Sequence, residues 1–174
     1  MIAQTSTELK ELVDQLSDSD PVTRQRARTQ LVAIGSQDVT RALLVELNDP
    51  RQRIRWESAK ALDAIADPIS AAGLVLHLDD PDDDVRWLAA EALAKLGESG
   101  LLATLTGAIR MSRSTHFCHA AHHAFKEFHK QHVHADVLQP VIKACDGLDP
   151  TVHLPLESYR ALCIIRTGTA STES

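Results

Sequence analysis

The clearest chemical signal in this sequence is a run of histidines in its second half. Seven of the nine histidines lie in the segment 114–137, which contains His116, His119, His122, His123, His129, His132 and His134. On a helix, residues four apart, such as His119 and His123, share a face and can chelate Zn²⁺, Ni²⁺ or Cu²⁺ through their ring nitrogens. Imidazole can also ligate haem iron.

Two arrangements of these side chains could hold a metal. One is an outer arc of the predicted helix formed by His116, His119 and His123, and the other is a flank formed by Cys118, His122 and His129. The alternative is a polar helix face whose imidazoles pair with backbone groups or carboxylates. Because the spacing alone is weakly specific, we expect no cofactor and keep a transition metal or haem as the alternative.

Complete catalytic patterns are missing from the sequence. A zinc site of the HExxH type needs a carboxylate base beside its histidines, and no His-Glu dipeptide occurs. The acidic segment 79–84 lacks the central glycine and closing glutamate of an EF-hand loop. A glycine-rich phosphate loop and a nucleophile elbow are also absent. These absences favour a protein that is not an enzyme, while the histidines leave the question open.

The histidines sit within a repeated element that must position them. Asp80-Pro81 opens a segment whose apolar residues fall on one helical stripe, and Gly97 closes it. The stripe consists of Val85, Ala89, Ala92, Leu93 and Leu96. Thirty-one positions earlier the same pattern starts at Asp49-Pro50, and a further copy starts near Asp18.

A second helix lies between these copies. Leu9, Leu12, Val13 and Leu16 recur at the same 31-residue interval as Thr40, Leu43, Leu44 and Leu47. We name the helix with the stripe above helix A and the other helix B. Since one such pair cannot bury its apolar stripe alone, the sequence predicts an all-α, right-handed α-solenoid of about five pairs, with half-repeats at both ends.

The last two units depart from the strict register. The fourth is shifted by one residue and carries Phe117, Phe125 and Phe128 in its A stripe. A final A helix after Asp149-Pro150 is expected to bury Leu154, Tyr159, Leu162 and Ile165, with Pro155 in its first turn. We expect a single domain over 1–166 and a flexible tail over 167–174.

The Asp-Pro turn, the following β-branched residue and Arg, and the spaced Ala and Leu before Gly resemble the HEAT-repeat family over roughly residues 9–166. They are particularly similar to the short prokaryotic HEAT-like units named after phycobilisome lyases. This resemblance implies a scaffold or adaptor that binds protein, with a chromophore lyase or chaperone-like assembly factor as an alternative. Deoxyhypusine hydroxylases are HEAT proteins that hold iron with His-Glu pairs, and the lack of such a pair here argues against that activity.

Composition is consistent with this class. The chain is 44% apolar and 24% charged, and its formal charge of −6 gives no general attraction to nucleic acid. No signal peptide or membrane-spanning run is evident, so we expect a cytoplasmic protein without membrane insertion. Cys118, Cys145 and Cys163 are odd in number and lack CxxC spacing, which favours reduced, packed thiols.

Two surfaces are candidates for a protein partner. Trp56 and Trp87 occupy the same repeat position on the outward side of helix A, where Gln25 and His119 would extend them into a ridge. Alternatively, each indole lies flat over aliphatic stems of the next repeat. On the B helices, the positions beside the stripe are small or apolar and would form an inner groove: Val45, Ala72, Gly73, Leu76, Ala103 and Gly107. The oligomeric state is expected to be a monomer or a weak homo-oligomer.

An arginine recurs at the start of each A helix, as Arg24, Arg55 and Arg86. A partly buried arginine is usually paired with a carboxylate. We expect a structural ladder in which each arginine binds an aspartate of the neighbouring turn, and we expect it to end at Cys118, which takes the arginine position in the fourth unit.

Overall fold

The computed structural model describes residues 2–168, with side chains from Thr7 onward, and within that range helices are joined by short turns and no strand is present. The α-helices are α1 (Ile2–Gln15), α2 (Pro21–Ile34), α3 (Gln37–Glu46), α4 (Gln52–Ile65), α5 (Ala71–Leu74), α6 (Asp83–Lys95), α7 (Glu98–Met111), α8 (Thr115–Lys130), α9 (Ala135–Cys145) and α10 (Pro150–Thr167). Short 3₁₀ helices, Pro68–Ser70 and Val75–Asp79, flank α5. The all-α prediction is confirmed.

Local sequence signals set the helix ends. The Asp20 carboxylate accepts hydrogen bonds from the backbone N–H groups of Val22 and Thr23, and Pro21 supplies a first position that needs no N–H partner. Gly35 ends the same helix with a φ of +55°, a conformation that suits glycine. Asp82 caps α6 in the same way as Asp20 caps α2.

The helices stack in two layers. Among the A helices, α2 packs on α4, α4 on α6 and α6 on α8. Each packs against the B helix that precedes it: α1, α3, the segment 68–79 and α7. The predicted stripe of α6 is buried, from Val85 at 0% exposed to Leu96 at 9%, and Phe117, Phe125 and Phe128 are fully buried in α8. The stacked arrangement predicted from the repeat is therefore confirmed.

The third B helix is not continuous. It consists of the four-residue α5 between two 3₁₀ segments. A Cβ added at Gly73 would lie 2.5 Å from Leu44 Cδ2 of α3, so the end of the Leu44 side chain would have to move to admit one. Glycine costs about 1 kcal/mol relative to alanine inside a helix. Close packing and weak helix propensity thus coincide at the break.

The arginine positions tie each turn to the helix that follows it. Arg24 and Arg55 each donate to two carbonyl oxygens of the preceding turn, and Arg86 donates to the carbonyl of Asp80. Across the stack, Arg55 binds Asp80 of the next turn, as predicted. Arg24 instead binds Glu57 on α4, so the ladder is less regular than the repeat suggested.

At the fourth unit the cysteine keeps part of this pattern. Cys118 Sγ lies 3.2 Å from the carbonyl oxygen of Ser112, the same six-residue offset that Arg86 uses toward Asp80. At this position a neutral thiol replaces the guanidinium, and the contact with a carbonyl of the preceding turn is kept.

The last A helix corrects the sequence prediction. Helix α10 packs mainly against α7 and α9. Tyr159, predicted to be buried, is 60% exposed, whereas Ser158 and Ala161 are buried beside Leu154 and Leu162. Small residues at the contact let α10 approach its neighbours closely.

Pro155 permits one polar contact between α10 and the end of α7. It lies in the second turn, not the first as predicted, because α10 begins at Pro150. A proline cannot donate to the carbonyl four residues earlier, which frees that of Thr151. The hydroxyl of Ser112, just after α7, donates to this oxygen at 3.4 Å.

Helix α10 continues to Thr167, and Gly168 ends it with a φ of +64°. Positions 169–174 of the predicted tail lie outside the described residues. None of the helices in the described part of the chain combines the length and the apolar character needed to cross a bilayer.

Candidate interaction surfaces and metal-ligand cluster

An apolar groove opens on the B side between the segment 68–79 and α7. It has a volume of about 570 Å³, a size typical of ligand-binding clefts. Its lining includes four residues predicted for the inner groove: Ala72, Leu76, Ala103 and Gly107. Val75, Leu102, Thr106, Arg110 and Met111 complete it. We use the name inner groove for this lining from here on.

The groove depends on close helix packing at its floor. A Cβ on Gly107 would lie 2.6 Å from Val75 Cγ2 and 3.0 Å from the Phe117 ring. Leu76 remains 58% exposed at the rim. Val45, one repeat earlier, is 70% exposed on α3 but does not line the groove.

Arg110 is the charged residue of the inner groove. It lies exposed in the last turn of α7. Among residues 7–168, whose side chains the structure describes, no carboxylate forms an ion pair with it. The groove therefore combines apolar walls with one cation available to an acidic group.

The two tryptophans of the predicted ridge have different surroundings. Trp87 is 55% exposed, and its ring stacks on His123 with a centroid distance of 6.5 Å. Trp56 is half-buried under two cations, Lys60 Nζ at 4.7 Å and Arg28 at 5.6 Å from the ring centre. The partner of Trp87 is thus a histidine of the next A helix.

The histidines of the outer arc do not converge. His116 and His119 are exposed on α8. His123, one turn further, directs its Nε2 to Glu91 Oε1 on α6 at 2.6 Å. The arc therefore supplies one imidazole with a carboxylate partner.

The flank residues are also dispersed. Cys118 is buried, and burial raises the pKa of its thiol, with Asp79 adding to the effect. His122 Nε2 lies 3.3 Å from Asp146 Oδ2 without hydrogen-bond geometry, and burial lowers the pKa of this imidazole. His129 Nε2 lies 2.7 Å from the side-chain amide of Gln139. Burial also raises the pKa of Cys145 to about 12, so this thiol stays protonated.

A different set of ligand atoms does converge. One nitrogen or oxygen from each of Glu91, His123 and Glu127 lies within 4.8 Å of the other two. It is the one group of three or more such residues in the described part of the chain. All three side chains are partly buried, at 29%, 35% and 21% exposed. We call this the Glu-His-Glu cluster.

Sequence reasoning missed the two glutamates, although a signal existed. The fourth unit is shifted by one residue from the 31-residue period, so His123 occupies the position equivalent to Glu91. Equivalent positions on stacked A helices lie side by side. Glu127 follows His123 by four residues, which places it on the same face of α8.

No curated protein matches the chain significantly. Among solved structures, the chain resembles an engineered protein from the Northeast Structural Genomics Consortium, with 18% identity and a TM-score of 0.43 over 92% of this chain and 85% of that one. It also resembles a designed armadillo repeat protein in complex with the peptide (KR)4, with 21% identity and a TM-score of 0.43 over 89% and 82% of the two chains.

A family match covers the first part of the chain. It extends from residue 9, within α1, to residue 94, within the last turn of α6. The repeats of residues 9–94 are therefore similar to those of the HEAT-repeat family.

Proposed function

We propose that this chain is a non-enzymatic adaptor that holds an amphipathic helix of a partner protein in the inner groove. The observation that carries this proposal is the apolar cleft of about 570 Å³ between the segment 68–79 and α7. Soluble proteins rarely leave a large apolar surface open unless it binds something. Repeat folds of this kind commonly serve protein interaction, which supports a protein as the occupant.

The walls of the groove favour a helix over an extended strand. Both walls are helical, so neither offers the free backbone edge that strand addition requires. A helix can place apolar residues at i, i+3 and i+4 against Leu76, Leu102 and Met111. Such contacts are nondirectional and need a good fit, which the small residues Ala72 and Ala103 permit.

Arg110 adds a polar requirement to the partner. Its guanidinium is exposed at the groove and lacks a carboxylate partner within residues 7–168. An aspartate or glutamate beside the apolar stripe of the partner would form a charge-assisted hydrogen bond there. The expected occupant is therefore an amphipathic helix with an acidic residue flanking its apolar face.

Trp87 and His119 are proposed as a secondary contact on the outer side. Trp87 combines exposure with a large ring, as do many interface hot spots. Trp56 is less available because Arg28 and Lys60 cover its ring. The kinship with units named after phycobilisome lyases stays an expectation from the sequence pattern, and no contact of the chain adds to it.

Site-specific photo-crosslinking tests the inner groove. A photoreactive residue is placed at Leu76 in the groove or, as the matched control, at Val22, which is 51% exposed on α2. After irradiation in the native cell, crosslinked peptides are sequenced. The proposal predicts one partner segment captured from position 76 and not from 22, with apolar residues at helical spacing and an adjacent acid.

Two results would contradict this function. One is equal capture from both positions, because it would mean nonspecific contact. The other is a partner segment captured at position 76 that is strongly polar or rich in proline, since neither kind of segment fits an apolar helix-binding groove.

A further inference from the structure

We propose that Glu91, His123 and Glu127 form a binding site for one divalent transition-metal ion, with Zn²⁺ as the ion that suits this mixed ligand set. The site is independent of the inner groove because it joins α6 and α8 in the A layer. It also differs from the histidine arc and flank considered from sequence, since two of its three ligands are carboxylates.

The geometry supplies three converging donors. His123 Nε2 and Glu91 Oε1 are 2.6 Å apart, and the ligand atom of Glu127 lies within 4.8 Å of both. Zn²⁺ binds imidazole nitrogen and carboxylate oxygen at about 2.0–2.2 Å. Atoms around one such ion are separated by at most about 4.4 Å, so the three side chains would each have to shift by less than about 1 Å to bind it together.

The ligand types select the class of ion. Two carboxylates supply two negative charges, which attract a dication. An imidazole disfavours Mg²⁺ and Ca²⁺, because these ions prefer oxygen ligands alone. Three protein ligands leave a fourth position for water or a further group, as in open zinc sites.

Neighbouring side chains contact two of the ligands, His123 and Glu127. Trp87 stacks on the His123 ring at an interplanar angle of 29° and limits its rotation. Lys130 pairs with Glu127 from the next turn of α8. The ion would replace the shared hydrogen bond between Glu91 and His123 and displace the ammonium of Lys130 from Glu127.

The placement suggests what the ion would do. It would clamp α6 to α8 across the boundary where the arginine ladder gives way to Cys118. The A layer would gain there a charged link of the kind that Arg55 and Asp80 form one repeat earlier.

Calorimetric titration of the untagged full-length protein with Zn²⁺ tests the site. We expect one ion per chain. The variants Glu91→Gln, His123→Ala and Glu127→Gln should each weaken binding by at least about tenfold, since even groups that only orient ligands contribute about 10–100-fold. His153→Ala is the control, because it removes an exposed imidazole on α10, outside the cluster, and should bind as wild type does.

Further measurements separate ligand loss from unfolding and from simple charge attraction. Circular dichroism checks that each variant remains helical, and the isosteric Glu→Gln variants are decisive if His123→Ala unfolds. Zn²⁺ binding should persist in a large excess of Mg²⁺. The proposal is overturned by absent one-to-one binding, by binding that the three variants leave unchanged, by equal loss in His153→Ala, or by equal competition from Mg²⁺.

Discussion

Arg55 and Asp80 form a two-pronged ion pair between successive repeats. Arg55 Nε lies 2.8 Å from Asp80 Oδ2, and Arg55 Nη2 lies 3.0 Å from Oδ1. Both residues are buried, at 9% and 4% exposed. Burial opposes ionisation of Asp80, but hydrogen bonds from Arg55, the backbone N–H of Asp82 and His77 outweigh it and hold the pKa of this carboxyl below its usual value.

Removing one partner of this pair should strongly destabilise the stack. Arg55→Ala leaves the Asp80 carboxylate buried without its cation, and we expect a loss of about 3 kcal/mol in the free energy of unfolding. Urea denaturation followed by circular dichroism measures it. Arg41→Ala is the control, because its exposed pair with Asp38 should contribute very little. A loss at Arg55 no larger than at Arg41 would mean that the pair does not join the repeats.

The buried His77 and the partly buried His122 should make the free energy of unfolding depend on pH. Burial lowers the pKa of His77, and the charge of Arg55 lowers it further. The hydrogen bond and charge of Asp80 raise this pKa but offset the lowering only in part. Burial also lowers the pKa of His122, against the attraction of Asp146. Each group therefore takes up a proton more readily when unfolded. Its contribution to stability is present above the unfolded pKa of about 6.5 and is lost as pH falls through that value toward the lower folded pKa.

The wild type should accordingly lose unfolding free energy between about pH 7.5 and about pH 5, and a His77→Gln/His122→Gln variant should lose less. Urea titrations at the two pH values measure the difference. A variant of the exposed His153 controls for removal of an imidazole. Identical pH dependence in wild type and double variant would show that neither buried histidine is responsible.

The 31-residue period made the stacking of the helices predictable from the sequence. The packing of α10 on α7 could not be predicted, because the last two units depart from that period. The 31-residue spacing fixed the stripe of α6 and the Arg55–Asp80 contact, because both follow from register. The packing of α10 on α9 follows from register, but its packing on α7, the B helix one repeat earlier, does not. It depends on Ser158 and Ala161 being small and on Ser112 meeting a carbonyl freed by Pro155, which only the folded chain brings together.

Leu93 tests the buried stripe. It is fully buried on α6, and Leu93→Ala should cost about 2–5 kcal/mol because a cavity replaces the side chain. Val45→Ala, at a position 70% exposed, is the control and should change stability little. Chemical denaturation of both variants gives the comparison. A cost below about 1 kcal/mol at Leu93 would contradict its place in the core.

Gly100 tests the close approach between α6 and α7. A Cβ there would overlap the carbonyl oxygen of Leu93, so the backbone would have to move. We expect Gly100→Ala to cost about 1–3 kcal/mol, the usual cost of overpacking. Gly147→Ala is the matched control, since its Cβ would meet only ordinary contacts at 3.5 Å. Thermal melting of both variants measures the difference. A Gly100→Ala variant as stable as Gly147→Ala would contradict the close approach of α6 and α7.

The candidate sites were predictable to different degrees. Ala72, Leu76, Ala103 and Gly107 share the side of helix B beside the stripe, so their meeting in the groove follows from helical period. The Glu-His-Glu cluster does not follow from the histidine run, because the spacing of histidines along α8 does not indicate which carboxylates face them. Its carboxylates come from another repeat and from a one-residue shift that changes which side chains face each other.

The affinity of the chain for the crosslinked partner segment tests the central claim most directly. The segment is synthesised as a peptide, and its dissociation constant is measured for wild type, Leu76→Glu and the control Val22→Glu. A buried charge in the groove should weaken binding by at least about tenfold, equivalent to about 1.4 kcal/mol, while Val22→Glu should bind like wild type. Equal affinity for Leu76→Glu and wild type would contradict the inner groove as the binding site.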